Sequence, residues 1–233
     1  MIGLIAGTGF SEPGFLGETK ERVVKTKYGT VYASLGNDYV YVPRHGKRHD
    51  VPAHLINHRA NIAALQAFGV SEVIAATSVG SLRKDLPPGS IVIPDDYMQL
   101  TASQTFCDSK ALYITPSLDA GLRDRLIGAA DDLGIKVRPQ GVYFQTNGPR
   151  LETRSEIRFI KDYADVIGMT MASEATLSKE AGLRYAAISQ VDNYANGIVG
   201  GELDFSRVSA KAKDQRQDMK KILVRVIKNG VGR

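Results

Sequence analysis

Short apolar runs alternate along the chain with longer stretches in which apolar side chains recur every three or four positions. Runs of strand length stand at 2–6, 23–27, 30–35, 39–43, 72–77, 90–94, 141–146, 165–169 and 184–191. Several of these are apolar at every position, as expected of central strands buried on both faces. Helical periodicity covers 52–68, 118–133, 153–163, 173–181 and 206–228, and Gly69, Gly134 and Gly182 each follow such a stretch where a left-handed C-terminal cap belongs. Gly29 and the Gly36-Asn37 pair punctuate the alternating segment 25–42, which predicts hairpins and therefore a mixed sheet. Interleaved strands and helices of this kind predict an α/β fold.

No repeat, low-complexity tract or Gly/Ser/Pro-rich linker interrupts the pattern, so 1–233 is expected to be one domain. At 43% hydrophobic content the chain can bury a sizeable core. No run approaches the roughly 20 apolar residues of a membrane helix, and Met1-Ile2-Gly3 leads into a strand with no basic leader. A soluble cytoplasmic protein with no membrane partner is the expectation. The single cysteine, Cys107, can make neither an internal disulfide nor a multi-thiolate metal site, in keeping with a reducing compartment. The net charge of +5 raises nucleic acid or anionic small molecules as partners. Its densest patches, Arg44 to Arg48 and Lys220-Lys221, have no interleaved aromatics for base stacking, which argues against nucleic acid.

Candidate chemistry gathers where strands end. Ile2 to Ala6 runs into Gly7-Thr8-Gly9, a turn that offers amides and a hydroxyl to an anion. It lacks the third glycine and following helix of a dinucleotide site and the Gly-Lys-Ser/Thr of a P-loop, so it suits a single phosphate, or is simply a tight turn. Arg44 follows another strand, and a guanidinium there matches an oxyanion in shape and charge. Thr77-Ser78 and Met169-Thr170 end two more strands. In open α/β sheets ligands collect at the carboxyl ends of strands, so these four ends could surround one phosphate. All four histidines lie between 45 and 58 in two pairs four residues apart, but Gly46 and Pro52 interrupt a helix and no further ligands complete a zinc set. Asn147 to Arg154 joins a strand to a helix, where Glu152 or Thr153 could serve only as a cap. Asp192-Asn193 could be an Asx turn.

Taken in order, GTGF, PRHGKRH, ATSVGSL, NGPRLETR, GMTMASEATLSKEAG and VDNYANG resemble the trimeric purine nucleoside phosphorylase and methylthioadenosine phosphorylase family. The likeness spans nearly the whole chain and is loose at 12–39 and 100–138. It implies one α/β domain with a distorted, partly barrel-like mixed sheet flanked by helices, and reversible cleavage of a purine nucleoside by inorganic phosphate in a homotrimer. No metal or organic cofactor is implied, orthophosphate being a co-substrate. By position, Thr8, Arg44, His45, Thr77, Ser78 and Thr170 match phosphate ligands, and Met169 lies under the ribose. Glu152 and Asn193 match the base-reading pair of the 6-oxopurine enzymes; the 6-aminopurine enzymes carry a carboxylate in place of Asn193. Hypoxanthine carries a proton on N1 that a carboxylate accepts, while an amide donates to N7. Phe205 and Val208 stand where apolar residues accompany a 5′-methylthio group, although core packing of a helix explains Val208 equally well. These positions imply 5′-methylthioinosine as substrate, with inosine and guanosine accepted less well. Leu151 departs from the aromatic that commonly stacks on the base, and Asp192 from a usual Thr. Tyr113 is the match for a residue that a neighbouring subunit lends to the sugar.

Overall fold

The computed structural model describes residues 1–10, 13–200 and 216–229. Ten strands form one mixed sheet: β1 (Ile2–Ala6), β2 (Lys20–Thr26), β3 (Gly29–Leu35), β4 (Tyr39–Pro43), β5 (Glu72–Ser81), β6 (Ile91–Val92), β7 (Asp96–Gln99), β8 (Val142–Gln145), β9 (Val166–Gly168) and β10 (Arg184–Tyr194). Among the described residues five helices flank it: α1 (His58–Ala67), α2 (Ala120–Asp132), α3 (Arg154–Ile160), α4 (Met171–Glu180) and α5 (Gln217–Asn229). The order is β2-β3-β4-β1-β5-β9-β8-β7, with β10 on the other side of β5 and β6 beyond it.

The apolar strands alternate between two cores, which is why they read as continuous runs. Ile2, Leu4 and Ala6 of β1, Tyr39 and Tyr41 of β4, and Ala186 and Ile188 of β10 face α2 and α5. Ile5, Val40 and Val42, Tyr185 and Ala187 face the opposite way, toward α1 and α4. In α5 the buried side chains are Met219, Ile222, Leu223, Val226 and Ile227, the i, i+3, i+4, i+7, i+8 stripe of a helix lying on a sheet.

β5 determines where the site falls. Its first half pairs parallel with β1, Ala6 standing opposite Ala76, and then it runs on past the end of β1. There β9 pairs with it antiparallel, Gly80 opposite Ile167, so the chain leaving β9 heads back toward Ser78 and Thr77. On the far side β10 follows β5 along its full length, with a bulge between Val191 and Asn193 that leaves Asp192 as the extra residue. Bulges re-aim side chains and strengthen local twist. The ends of β1 and β4, the middle of β5 and β10, and the turn after β9 thus gather at one edge of the sheet.

Several elements differ from the sequence expectation in extent. The expected 52–68 helix begins at His58, because the Asn57 side chain caps it by accepting from Ala60 N; a 3-10 turn, Ala53–Leu55, precedes it. The strand expected at 90–94 pairs only over Ile91–Val92, while polar Asp96–Gln99, not expected as a strand, pairs parallel with β8. The expected 206–228 helix is seen as α5, and residues 206–215 lie outside the described residues.

Thr153 caps α3 in a capping box. Its hydroxyl accepts from Glu156 N, and Glu156 accepts from Thr153 N. Arg150 adds a two-pronged contact to the same carboxylate, and its hydrogen bonds hold Glu156 down at about 2. Thr153→Ala is expected to lower stability by about 1 kcal/mol in urea titration.

Candidate functional site

Arg44 is the hub of the strand-end edge. Its side chain is buried, and its guanidinium meets Glu174 of α4 through Nε to Oε1 at 2.5 Å and Nη2 to Oε2 at 3.0 Å. Nη1 donates to the carbonyl of Ala76 at 2.8 Å and Nη2 to that of Ile5 at 3.4 Å. One side chain thereby ties β4, β1, β5 and α4 together. Four of its five N–H groups are committed, and the remaining one is on Nη1, which lies 3.0 Å from where a Cβ on Gly7 would stand.

Glu174 is wholly buried on α4. Tyr185 donates to its Oε2 at 3.0 Å, and His58 Nδ1 stands 3.6 Å from Oε1, too far for a hydrogen bond. Burial alone would raise the carboxyl, but the Arg44 charge, with His58 nearby, outweighs it and holds Glu174 at about 2. Burial pushes the Tyr185 hydroxyl well up, with the Glu174 charge adding to the effect, so it remains a donor.

His45 Nδ1 lies 2.8 Å from the carbonyl of Val51, which fixes the proton on Nδ1 and leaves Nε2 as an acceptor. That nitrogen borders Gly7, where an added Cβ would come within 2.9 Å. Burial first, and the Arg44 charge second, lower His45 to about 4. The imidazole is therefore neutral at pH 7. The unfolded chain binds this proton more readily than the folded one, so the His45 contribution to stability is complete above about pH 6.5 and is lost as pH falls toward 4. His45→Gln is expected to remove that part of the acid limb in thermal melts between pH 7 and 4. His49 lies 4.7 Å from His45 between ring centroids, and burial together with Arg216 and Arg44 lowers it too. Its Nε2 is 3.4 Å from the hydroxyl of Thr8, which is exposed on the Gly7 to Gly9 turn.

Across the edge, the Thr77 and Ser189 hydroxyls share a buried 2.7 Å hydrogen bond. Ser78 donates to Asp192 Oδ2 at 2.5 Å, and Arg216 Nη2 reaches both Ser78 Oγ at 3.1 Å and Asp192 Oδ2 at 3.0 Å. Thr170 is buried at the start of α4, and its hydroxyl takes no part in capping. Instead Tyr143 and Gln145 satisfy the first amides of that helix: Thr170 N donates to Tyr143 Oη at 3.2 Å and Ala172 N to Gln145 Oε1 at 2.7 Å. Met169 packs on Gly148, which has φ 64° and whose added Cβ would lie 2.6 Å from Sδ, so that position requires glycine.

The last group is Glu152 with Asn193. Glu152 is 8% exposed, accepts from Thr146 Oγ1 at 2.6 Å, and has its backbone carbonyl held by Asn196 Nδ2 at 3.1 Å. Asn193, opposite Gly80, donates one of its two Nδ2 hydrogens to the Tyr194 carbonyl at 2.8 Å. Leu151 is exposed, and Tyr113 is 96% exposed in this single chain. Phe205 and Val208 lie outside the described residues. The sequence reading did not single out Glu174, Ser189 or Arg216. A glutamate flanked by Ala172, Ser173 and Ala175 in the first turns of α4 was the available signal for the first; the polar run around Arg216 gave none.

Comparison with known proteins accounts for the arrangement. Residues 1–228 match the model of the phosphorylase superfamily. A probable 6-oxopurine nucleoside phosphorylase of Archaeoglobus fulgidus is 41% identical, the alignment covering 98% of this chain and 96% of that one. A probable S-methyl-5′-thioinosine phosphorylase of Methanocaldococcus jannaschii is 38% identical over 100% of this chain and 94% of its own. The solved structure of methylthioadenosine phosphorylase from Schistosoma mansoni in complex with adenine superposes with a TM-score of 0.88 at 28% identity, covering 100% of this chain and 92% of that one. The single α/β domain described above, with its mixed sheet flanked by helices, is the fold they share, and the chain belongs to the phosphorylase superfamily, in its purine nucleoside and methylthioadenosine phosphorylase family.

Proposed function

We propose that the chain cleaves 6-oxopurine nucleosides reversibly with orthophosphate, giving the free purine and a ribose 1-phosphate, with 5′-methylthioinosine preferred over inosine and guanosine. The observation that carries this reading is a buried carboxylate, Glu152, whose backbone is held by Asn196, three residues beyond an amide, Asn193, at the bulged end of β10. Thr146 occupies one oxygen of Glu152 and leaves the other to accept the N1 proton of a 6-oxopurine. The second Nδ2 hydrogen of Asn193 is left for N7. The contact from Asn193 to N7 strengthens as electrons move into the departing purine, while Glu152 fixes the base through N1.

On the opposite side, the Gly7 to Gly9 turn, the Arg44 edge and the hydroxyls of Thr8, Thr77 and Thr170 hold phosphate under the sugar, with Ser78 beside them and Met169 against the ribose. The phosphate charge then stabilises the oxocarbenium character that develops at C1′. Neutral His45, with its open Nε2, accepts a hydrogen bond from a protonated phosphate oxygen or a sugar hydroxyl. No step requires a metal or an organic cofactor. The names of the Archaeoglobus and Methanocaldococcus relatives support the 6-oxopurine assignment. The 5′-methylthio preference rests on Phe205 and Val208. A homotrimer in which Tyr113 reaches a neighbouring subunit's site is part of the same reading, and the exposure of Tyr113 leaves it available for that role.

A second reading is a 6-aminopurine enzyme acting on 5′-methylthioadenosine. Asp192, an acid next to Asn193, favours it, as does the adenine held by the Schistosoma relative. Product assays with methylthioinosine, methylthioadenosine, inosine and adenosine, each with and without phosphate, separate the two. Phosphate-dependent release of hypoxanthine, fastest from methylthioinosine, is expected. Faster release of adenine would establish the second reading, and release without phosphate would refute both.

A further inference from the structure

Orthophosphate near neutral pH carries more than one negative charge, yet the strand-end edge offers it little free positive charge. Arg44 is neutralised by Glu174 at hydrogen-bond distance and has one N–H left. His45 is neutral, and His49 is lowered as well. Among the described residues a second guanidinium reaches this edge, that of Arg216, immediately before α5, with 1% of its surface exposed and an ion pair to Asp192. Only Nη2 of its guanidinium is engaged, by Ser78 and both oxygens of Asp192. Nε and Nη1 are buried and have no hydrogen-bond partner among the described residues. Buried unpaired donors are costly, and three on one charged group are the mark of a place shaped for an acceptor.

That unpaired edge packs against the Gly7 to Gly9 turn. A Cβ on Gly9, at φ 82°, would come within 1.7 Å of Arg216 Nη1 and 2.5 Å of Cζ, so glycine is what allows the guanidinium to approach the backbone there. The edge therefore sits beside Gly7-Thr8-Gly9, next to His49 and Ser78.

We propose that Arg216 is a binding residue for the phosphate co-substrate, its Nε and Nη1 edge supplying the fork of donors that Arg44, with one N–H left, cannot. Asp192 and Ser78 hold the guanidinium in orientation through Nη2, leaving the planar face of Nε and Nη1 to pair with two phosphate oxygens. The C-terminal helix thereby contributes to the same anion site as the first strand.

The test is orthophosphate binding to the free enzyme by isothermal titration calorimetry, together with separate KM values for phosphate and nucleoside. Arg216→Gln is expected to weaken phosphate binding about 10- to 100-fold, the range for losing hydrogen bonds to a charged group. The nucleoside KM at saturating phosphate is expected to change far less. Arg216→Lys keeps the charge but loses the fork, and its phosphate affinity is expected to fall between the two; if the Gln variant does not fold, this comparison decides. Asp192→Asn removes the competing carboxylate, and its phosphate affinity is expected to hold or rise. Were Arg216 merely a strut for Asp192, Asp192→Asn would weaken phosphate as much as Arg216→Gln, which would overturn the proposal. So would unchanged phosphate affinity in Arg216→Gln and Arg216→Lys, or a loss confined to nucleoside. The proposal rests on the phosphate reading of the turn. Absence of phosphate binding to the wild-type enzyme would remove both, whereas equal binding by wild type and the Arg216 variants would remove this one alone.

Discussion

Glu174→Ala is expected to destabilise the protein by about 3–5 kcal/mol, the cost of stranding one member of a buried ion pair. For a chain of 233 residues that corresponds to a fall in melting temperature of roughly 6–20 °C. The magnitude follows from burial: Glu174 has no exposed surface and the Arg44 side chain is 2% exposed, so neither charge can be rehydrated in place. Arg44 would keep only carbonyl partners on β1 and β5, and Tyr185 would lose its acceptor. Phosphate-dependent turnover is expected to fall with stability, because Arg44 is aligned by Glu174 at two points. A double change separates these effects. Arg44→Met with Glu174→Leu replaces the pair by apolar groups and is expected to recover much of the stability, as such replacements often do, without recovering phosphate binding. Recovery of both would show that Arg44 serves only the fold. The sign of the pH dependence is set by the same pair. Glu174 is held below its unfolded value, so its contribution is complete above about pH 4.5 and is lost as pH falls toward 2.

Asn193→Asp is expected to produce the largest change in selectivity. In the proposed reading, an amide placed to donate to N7 of a 6-oxopurine becomes an acceptor that suits the exocyclic amine of adenine and opposes O6. Sites built on such hydrogen bonds discriminate by roughly 10^4 or more, so the ratio of kcat/KM for methylthioinosine over methylthioadenosine is expected to fall by orders of magnitude. Glu152→Gln acts from the other side, since Thr146 already donates to one oxygen and a carboxamide would turn a donor or a weaker acceptor toward N1. It is expected to lower kcat/KM for the oxo substrates with less effect on the amino ones. Unchanged ratios in both variants would mean that base selection lies elsewhere.

Much of this architecture was legible in the sequence because the central strands are apolar on both faces. β1 and β4 fall at the expected positions, and β5 and β10 begin where expected. Their extensions were not legible. Residues 78–81 and 192–194 are polar or glycine-rich, and they become strand only because β9 and β10 offer backbone partners beyond the end of β1. β7 was missed for a related reason: Asp96-Tyr97-Met98-Gln99 is a polar edge strand whose pairing with β8 is non-local. In the helices the capping residue decided the boundary, and Asn57, five residues beyond Pro52, was the true start signal.

At the site, hydroxyls, glycines and Arg44 were visible as strand-end punctuation. What escaped the sequence was who neutralises whom. Glu174 lies 130 positions from Arg44, and Arg216 lies 138 positions from Ser78, so neither pairing leaves a local pattern. The consequence is chemical as well as structural, for a guanidinium committed to a carboxylate is a weaker anion receptor than its place at a strand end suggests.

The account rests on several strand ends converging on one orthophosphate beneath the sugar. A crystal structure of the enzyme grown with phosphate and hypoxanthine tests this most directly. The account predicts phosphate oxygens within hydrogen-bond distance of Thr8, Thr77, Thr170, Arg44 Nη1 and Arg216, with the purine between Glu152 and Asn193 on the other side of the sugar space. Phosphate bound away from the Gly7 to Gly9 turn, or a purine that touches neither Glu152 nor Asn193, would contradict it.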